Sequence, residues 1–260
     1  MKITIIGSGN IGSALVSGLL RNGTVQPKDI TLTDVNQDAL VLYASKGIIT
    51  SRNNPEAVKS ADMVILCVKP FMVRTVIEEI SSSLTDKMLL VSFAAGINLN
   101  QLSLFAGKRP LYRVIPNTAM AVNQSMTCIA GVNTTEGQNK MMLDFFNLVG
   151  MSMMIDESLM NAATVIASCG TAFALRYMRA ATTAAVEIGF KPSVAVSMIA
   201  QTMLGAAALI HQSKNHPEQE IDKVTTPKGI TIKGLNEMEH AGFSSAVMQG
   251  ILAAYEVFDI

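Results

Sequence analysis

The residues most able to do chemistry are three glycines that follow a short apolar run and fit the spacing G-x-G-x-x-G. Each has a separate role in a dinucleotide site: Gly7 permits a tight turn, Gly9 lets the backbone approach a pyrophosphate, and Gly12 lets the following helix pack closely on the sheet. The free N–H groups at the start of that helix then face the diphosphate. The same loop supplies three further predicted cofactor contacts, Ser8, Asn10 and Ile11. The pattern favours dinucleotide binding over a tight turn without a ligand.

An acidic residue follows this loop at the distance that ribose recognition requires. Asp34 ends the next apolar run, about twenty residues on, where a carboxylate accepts hydrogen bonds from the adenosine ribose. A carboxylate there suits two ribose hydroxyls and repels a 2′-phosphate. The sequence therefore predicts NADH or NADPH as the cofactor, with NADH favoured. Arg52 or Lys46 could fold in and reverse that preference.

The elements that position these residues alternate along the first 150 residues, as in a doubly wound parallel sheet. Short apolar runs predict strands at 3–6, 30–32, 63–68, 88–93, 111–115, 126–132 and 151–155. From residue 157 onward the pattern is helical. We therefore expect an α/β fold, with a Rossmann-type dinucleotide-binding domain over residues 1–156 and an all-helical domain over 157–260.

Ligands of such a sheet bind beyond the carboxyl ends of the strands. Three more strand ends should therefore share one crevice with the glycine loop and Asp34. They supply the predicted cofactor contacts Val68, Lys69, Pro70, Ala95, Gly96 and Asn117. A single strand end of this kind is most simply a turn, but five together favour a cofactor groove.

Composition narrows the function classes. Lysine and arginine number 20 and aspartate and glutamate 20, so nothing indicates a nucleic acid or an anionic membrane as partner. The three cysteines show no paired spacing and no nearby histidine cluster, which predicts reduced thiols in a cytoplasmic protein and no metal site. The apolar run at the N-terminus is too short for a signal peptide and leads directly into the glycine turn.

Two long uncharged stretches stand out in the helical part, at residues 158–175 and 193–213. His211 is the only ionisable residue of the second stretch. The second could be weighed as a membrane span, but it is rich in Ala, Ser, Thr, Gln and Gly, which favour insertion poorly. A helix that is apolar on all sides is usually buried on all sides. We therefore expect a homodimer or a higher homo-oligomer formed through the C-terminal helices.

With these motifs the chain resembles the pyrroline-5-carboxylate reductase family almost end to end. On the cofactor side the glycine loop, Val68-Lys69-Pro70, Ala94-Ala95-Gly96 and Pro116-Asn117-Thr118 match the family pattern in order. Asn54 stands where the family has an asparagine near the adenosine ribose. Residues 224–232, Val-Thr-Thr-Pro-Lys-Gly-Ile-Thr-Ile, are similar to the family's Val-Thr-Ser-Pro-Gly-Gly-Thr-Thr-Ile loop, which opens a helix and holds the substrate carboxylate.

The resemblance implies NAD(P)H-dependent reduction of the C=N bond of 1-pyrroline-5-carboxylate to L-proline, the last step of proline biosynthesis. Its substrate contacts carry over to Thr226, Lys228, Gly229, Ile230 and Thr231. The backbone N–H groups of the last three would bind the carboxylate, and the Thr231 hydroxyl is the catalytic candidate near the substrate nitrogen. Thr226 and Thr231 could instead cap the helix.

The substrate side departs from the family pattern at several positions. Lys228 replaces a glycine, Ile230 a threonine and Thr171 a proline. Lys228 could attract the carboxylate or simply be solvated. If this position requires the left-handed backbone that glycine adopts freely, the loop must move to accommodate the lysine. Two alternatives stay open: a reductase of the same fold acting on another small cyclic imine or acid, and a catalytically idle nucleotide-binding regulatory paralogue.

Overall fold

A computed structural model describes residues 1–258 of the chain and divides it into two units, Met1–Cys169 and Gly170–Ile260. Within the described residues the first unit contains one eight-stranded sheet. Its strands are β1 (Ile3–Ile6), β2 (Ile30–Thr33), β3 (Ile49–Ser51), β4 (Met63–Leu66), β5 (Leu89–Ser92), β6 (Leu111–Ile115), β7 (Ser125–Val132) and β8 (Gly150–Met154). The seven strands expected from the sequence are all present, and β3 is the additional one.

The sheet has the order β3-β2-β1-β4-β5-β6-β7-β8, and every neighbouring pair is parallel except β6 and β7. That antiparallel pair corrects the expectation of a wholly parallel sheet. Parallel neighbours need a crossover of about a dozen residues or more. The connection over residues 116–124 is too short for one, so β7 turns back along β6.

Helices cover both faces of the sheet. In the first unit they are α1 (Asn10–Asn22), α2 (Gln37–Ala44), α3 (Asn54–Val58), α4 (Val73–Ile80), α5 (Leu99–Ala106), α6 (Glu136–Asn147) and α7 (Met160–Ala163). Successive residues of β4 join opposite cores: Ile65 packs with Leu15 of α1, and Leu66 with Ile77 of α4. Burial on both faces explains why the strands read as continuous apolar runs.

The two units divide at Cys169, whereas the sequence placed the domain boundary after residue 156. The difference is the segment 157–169, which ends in the π-helical stretch Thr164–Cys169. Met160 and Val165 are buried, and the Asn161 side chain accepts a 2.8 Å hydrogen bond from the buried Arg113 on β6. Because these contacts fix the segment on the sheet, it folds with the first unit.

Within its described residues the second unit consists of helices joined by loops and contains no strand. Its helices are α8 (Gly170–Glu187), α9 (Pro192–Ser213), α10 (Pro217–Lys223), α11 (Ile230–His240) and α12 (Phe243–Glu256). Ala195 is the one buried residue among those described in this unit. Two helices, Glu157–Glu187 and Pro192–Ser213, are long and apolar enough to cross a membrane by length and composition. The unit thus exposes many large apolar side chains.

Candidate functional site

The carboxyl ends of β1, β2, β4 and β5 open onto one cleft of about 490 Å³. Ten of the predicted cofactor residues line it: Gly7, Gly9, Asn10, Ile11, Asp34, Asn54, Val68, Lys69, Pro70 and Ala95. The strand ends therefore meet along one crevice, as the topology of such a sheet requires.

Four predicted cofactor residues lie outside the lining of this cleft. Ser8 hydrogen-bonds Asp34, Gly12 packs beneath the loop, and Gly96 forms a turn with φ 77°. The Asn117 amide donates to the Ala167 carbonyl at 2.9 Å and accepts from the Ala119 N–H at 2.9 Å. The amide of Asn117 therefore uses both its donor and its acceptor within the protein.

The glycine loop has the shape that a diphosphate requires. A β-carbon at Gly7 would lie 2.7 Å from the Cys67 carbonyl oxygen, and one at Gly12 would lie 2.1 Å from the Gly7 carbonyl oxygen. A β-carbon at Gly9, in contrast, would meet nothing within 4 Å. Helix α1 begins without a side-chain cap, so its first N–H groups are free for an anion. The loop fits a dinucleotide.

Asp34 is held firmly in the cleft, just after the end of β2. Its Oδ2 accepts from the Ser8 N–H at 2.6 Å and from the Ser8 hydroxyl at 2.7 Å, and its Oδ1 accepts from the Asn36 N–H at 2.8 Å. Partial burial acts to raise the pKa of this carboxyl, but the hydrogen bonds from Asn36 and Ser8 together outweigh it and leave the pKa below its ordinary value. Asp34 is therefore a carboxylate at neutral pH.

Asn54 also lies in the cleft, in a short chain of hydrogen bonds. Its Oδ1 accepts from the Thr33 hydroxyl at 2.6 Å, and its Nδ2 donates to the Glu79 carboxylate at 2.9 Å. Arg52 also lines the cleft. Lys46 instead lies 5.3 Å from the centre of the Tyr43 ring and is not part of the cleft lining. Of the two cations that could favour NADPH, Arg52 is the one at the site.

Several cleft residues carried no motif of their own. Thr33, Val35, Met72, Val76 and Phe93 line the cleft, as does Cys67. Most are one or two positions from predicted contacts, so a wider window at each strand end would have found them. Burial raises the pKa of the Cys67 thiol, so this cysteine is neutral and is not a nucleophile.

The predicted substrate loop lies in the second unit, ahead of α11. Lys228 has φ 64°, in the left-handed region that glycine adopts freely. The loop therefore keeps this conformation with a lysine in place. The Gly229 N–H donates to the Thr226 carbonyl at 2.9 Å, which removes it from the three N–H groups expected to bind the carboxylate. Ile230, at the first position of α11, is 89% exposed.

The start of α11 has no side-chain cap. The Thr226 and Thr231 hydroxyls make no hydrogen bond within the described residues, so the alternative that they cap the helix is not seen. The N–H groups of Ile230 and Thr231 are likewise free of acceptors there. Two backbone donors and two hydroxyls are thus available to a small anionic ligand.

Comparison with known proteins agrees with both halves of the chain. A family model described as pyrroline-5-carboxylate reductase dimerisation matches residues 157–259, and one described as NADP oxidoreductase coenzyme F420-dependent matches residues 2–96. The pyrroline-5-carboxylate reductase of Methanosarcina acetivorans is 37% identical over 98% of this chain and 96% of its own length. Pyrroline-5-carboxylate reductase 1 of Dictyostelium discoideum is 36% identical over 97% of this chain, which spans 48% of that longer protein.

A solved structure gives the same picture in three dimensions. The pyrroline carboxylate reductase of Plasmodium falciparum, crystallised with NADP bound, matches with a TM-score of 0.90 and 25% identity. The match covers 99% of this chain and 97% of that one.

Proposed function

Since the chain belongs to the pyrroline-5-carboxylate reductase family, we propose that it reduces 1-pyrroline-5-carboxylate to L-proline, the final step of proline biosynthesis, with a nicotinamide cofactor. The observation that carries this proposal is the loop over residues 226–231. It keeps a left-handed turn at Lys228 and a free helix start after it, although several of its residues depart from the family pattern. Despite these departures, the N–H groups of Ile230 and Thr231, two of the three expected to bind the carboxylate, stay available.

The first unit supplies the binding and orientation of the cofactor. When bound, the nicotinamide supplies a hydride for the carbon of the substrate C=N bond. The free N–H groups at the start of α1 hold the diphosphate, and Asp34 and Asn54 hold the adenosine ribose. Val68, Pro70 and Phe93 line the cleft with apolar surface, which excludes water from the reacting end.

The loop of the second unit supplies the substrate contacts. The N–H groups of Ile230 and Thr231 bind the substrate carboxylate, helped by the positive end of the helix dipole of α11. The Thr231 hydroxyl hydrogen-bonds the substrate nitrogen and holds its proton while the carbon accepts the hydride. A protonated C=N group needs no stronger acid, so one neutral hydroxyl is sufficient.

We further propose that NADH is preferred over NADPH. The Asp34 carboxylate, fixed by Ser8 and Asn36, places a negative charge where the 2′-phosphate of NADPH would lie. Arg52 opposes this effect, because it brings a positive charge to the same cleft. We expect the Asp34 charge to outweigh the Arg52 charge in cofactor choice, because three hydrogen bonds hold the Asp34 carboxylate in place.

The exposed apolar surface of the second unit supports a homodimer or a higher homo-oligomer formed through the C-terminal helices. Large side chains such as Leu175, Ile188, Leu204 and Leu252 are more than half exposed. Patches of this kind on a soluble chain mark interaction sites. The family model for dimerisation covers this region. We therefore propose that these faces pair with a second copy of the chain. We also propose that the protein is cytoplasmic. Light scattering on the purified chain tests the assembly.

Initial-rate assays with 1-pyrroline-5-carboxylate, run separately with NADH and NADPH, test the activity. We expect proline to form, with NADH as the better donor. Turnover of a related cyclic imine but not of this substrate would replace the proposal with a reductase of different specificity. Cofactor binding without turnover of any imine would indicate the idle regulatory paralogue instead.

A further inference from the structure

A carboxylate outside the cleft controls one of the groups inside it. Glu79 is exposed on α4, and its Oε2 accepts a 2.9 Å hydrogen bond from Asn54 Nδ2. Asn54 lines the cleft, and so does Val76, which lies one helical turn before Glu79 on α4. Glu79 is not itself part of the cleft lining, so its hydrogen-bonded link to the cleft runs through Asn54.

The two partners of Asn54 differ in what they can do. The Thr33 hydroxyl donates to Asn54 Oδ1 at 2.6 Å, but a hydroxyl can equally accept, so it would pair with either end of the amide. A carboxylate only accepts hydrogen bonds. If the amide were reversed, its oxygen would face the Glu79 carboxylate and two acceptors would oppose each other. The orientation of Asn54 is therefore decided by Glu79.

Resting on the proposed function, in which the cleft binds a dinucleotide, we propose that Glu79 is a positioning residue for recognition of the adenosine ribose. By holding Asn54 Nδ2 towards α4, Glu79 fixes which amide atoms face the cleft. One N–H and one lone pair of the amide stay free for the ribose. No sequence motif marks this glutamate.

The test is direct binding of ADP-ribose, which contains the adenosine and diphosphate but no nicotinamide, measured by calorimetry on the full-length protein. Glu79→Gln keeps the size of the side chain but can donate or accept, so Asn54 loses its fixed orientation. We expect ADP-ribose to bind about fivefold more weakly, as for the loss of one hydrogen bond of ordinary strength. The Michaelis constant for NADH should rise by a similar factor.

A neighbouring residue provides the matched control. Glu78 is also exposed on α4, but it pairs with Arg74 at 2.8 Å and makes no hydrogen bond with Asn54 among the described residues. Glu78→Gln should bind ADP-ribose as the wild type does. In an Asn54→Ala background, Glu79→Gln should produce no further loss, because its effect passes through the amide.

Three results would overturn the inference, and the first two are wild-type affinity in Glu79→Gln and an equal loss in the Asn54→Ala background. A wild-type chain that binds neither ADP-ribose nor NADH would also overturn it, because the cleft would then not be a dinucleotide site. Failure to form proline is a separate result, because ADP-ribose binding does not involve the substrate. In that case the proposed function falls and the role of Glu79 stands.

Discussion

The carboxylate of Asp34 accepts two hydrogen bonds from Ser8, one from its N–H at 2.6 Å and one from its hydroxyl at 2.7 Å, both on Oδ2. The Asn36 N–H occupies one position on Oδ1 at 2.8 Å. A carboxylate has about four acceptor positions, so one remains for a ribose hydroxyl. The second hydroxyl then needs another partner in the cleft, and Asn54 is available there.

The charge of Asp34 should set cofactor selectivity. Asp34→Asn keeps the size of the side chain and removes the charge that repels a 2′-phosphate. We expect the ratio of NADPH to NADH affinity to rise about tenfold, as for one charge pair at a partly screened site. Fluorescence titration with each reduced cofactor measures it, and Asp38→Asn, on the exposed surface of α2, is the control. An unchanged ratio in Asp34→Asn would contradict the assignment.

Gly9 and Gly12 should respond differently to the same added methyl group. Gly9→Ala meets nothing within 4 Å, so it should keep the wild-type Tm and bind NADH at least about tenfold more weakly, because the methyl group occupies the diphosphate position. Gly12→Ala places its β-carbon 2.1 Å from the Gly7 carbonyl oxygen and should lower the Tm. Calorimetric unfolding and NADH titration of both variants provide the comparison. Tight NADH binding by Gly9→Ala would argue against the diphosphate site.

Lys228 holds a backbone conformation that costs a residue with a β-carbon about 1–2 kcal/mol. Lys228→Gly should relieve this strain and, after the entropic cost of glycine, stabilise the fold by about 1 kcal/mol. For a chain of this size that corresponds to a Tm increase of about 2–4 °C. Lys228→Ala loses the same charge but keeps a β-carbon, so it should show no increase. Equal Tm values for the two variants would mean that the strain is absent.

The main features of the fold could be predicted because burial determines them. Strands covered on both faces, such as β4, read as unbroken apolar runs, and the expected strands were all present. Strand β3 was missed because it is short and its first residue, Ile49, is about half exposed, so no apolar run marks it. The antiparallel direction of β7 depends on the length of the connection from β6, and the apolar pattern of the strands does not indicate that direction.

The parts of the candidate site that lie close together in the sequence could be predicted. The glycine loop and Asp34 form one continuous βαβ unit, so their spacing was informative. Glu79 reaches Asn54 only because α4 packs beside α3, and no local pattern encodes that contact. A left-handed backbone at Lys228 was expected to move the loop, because lysine rarely adopts positive φ, but the lysine holds that conformation.

Gly229 should be essential for the geometry of the substrate loop. A β-carbon there would lie 2.5 Å from Thr226 Oγ1 and 2.9 Å from the Thr226 carbonyl oxygen, so Gly229→Ala must displace the loop. Because a shift of about 1 Å can cost on the order of a hundredfold in rate, we expect kcat/KM to fall by roughly that factor. Gly234→Ala, in the same helix with nothing within 4 Å, should keep the wild-type rate. Wild-type turnover by Gly229→Ala would contradict the assignment of this loop to the substrate site.

The Thr231 hydroxyl is free of partners within the described residues, so its removal isolates its chemistry. Thr231→Val keeps the shape of the side chain and the backbone N–H that we propose binds the carboxylate. We expect kcat to fall about a hundredfold, the lower end of the range for a positioned proton-handling group, while affinity for proline falls only about fivefold, as for one lost hydrogen bond. Thr231→Ser restores a hydroxyl and should recover most of the rate. If Thr231→Val retains the wild-type kcat, the hydroxyl neither holds nor delivers the proton, and a water molecule bound at the substrate nitrogen must do so.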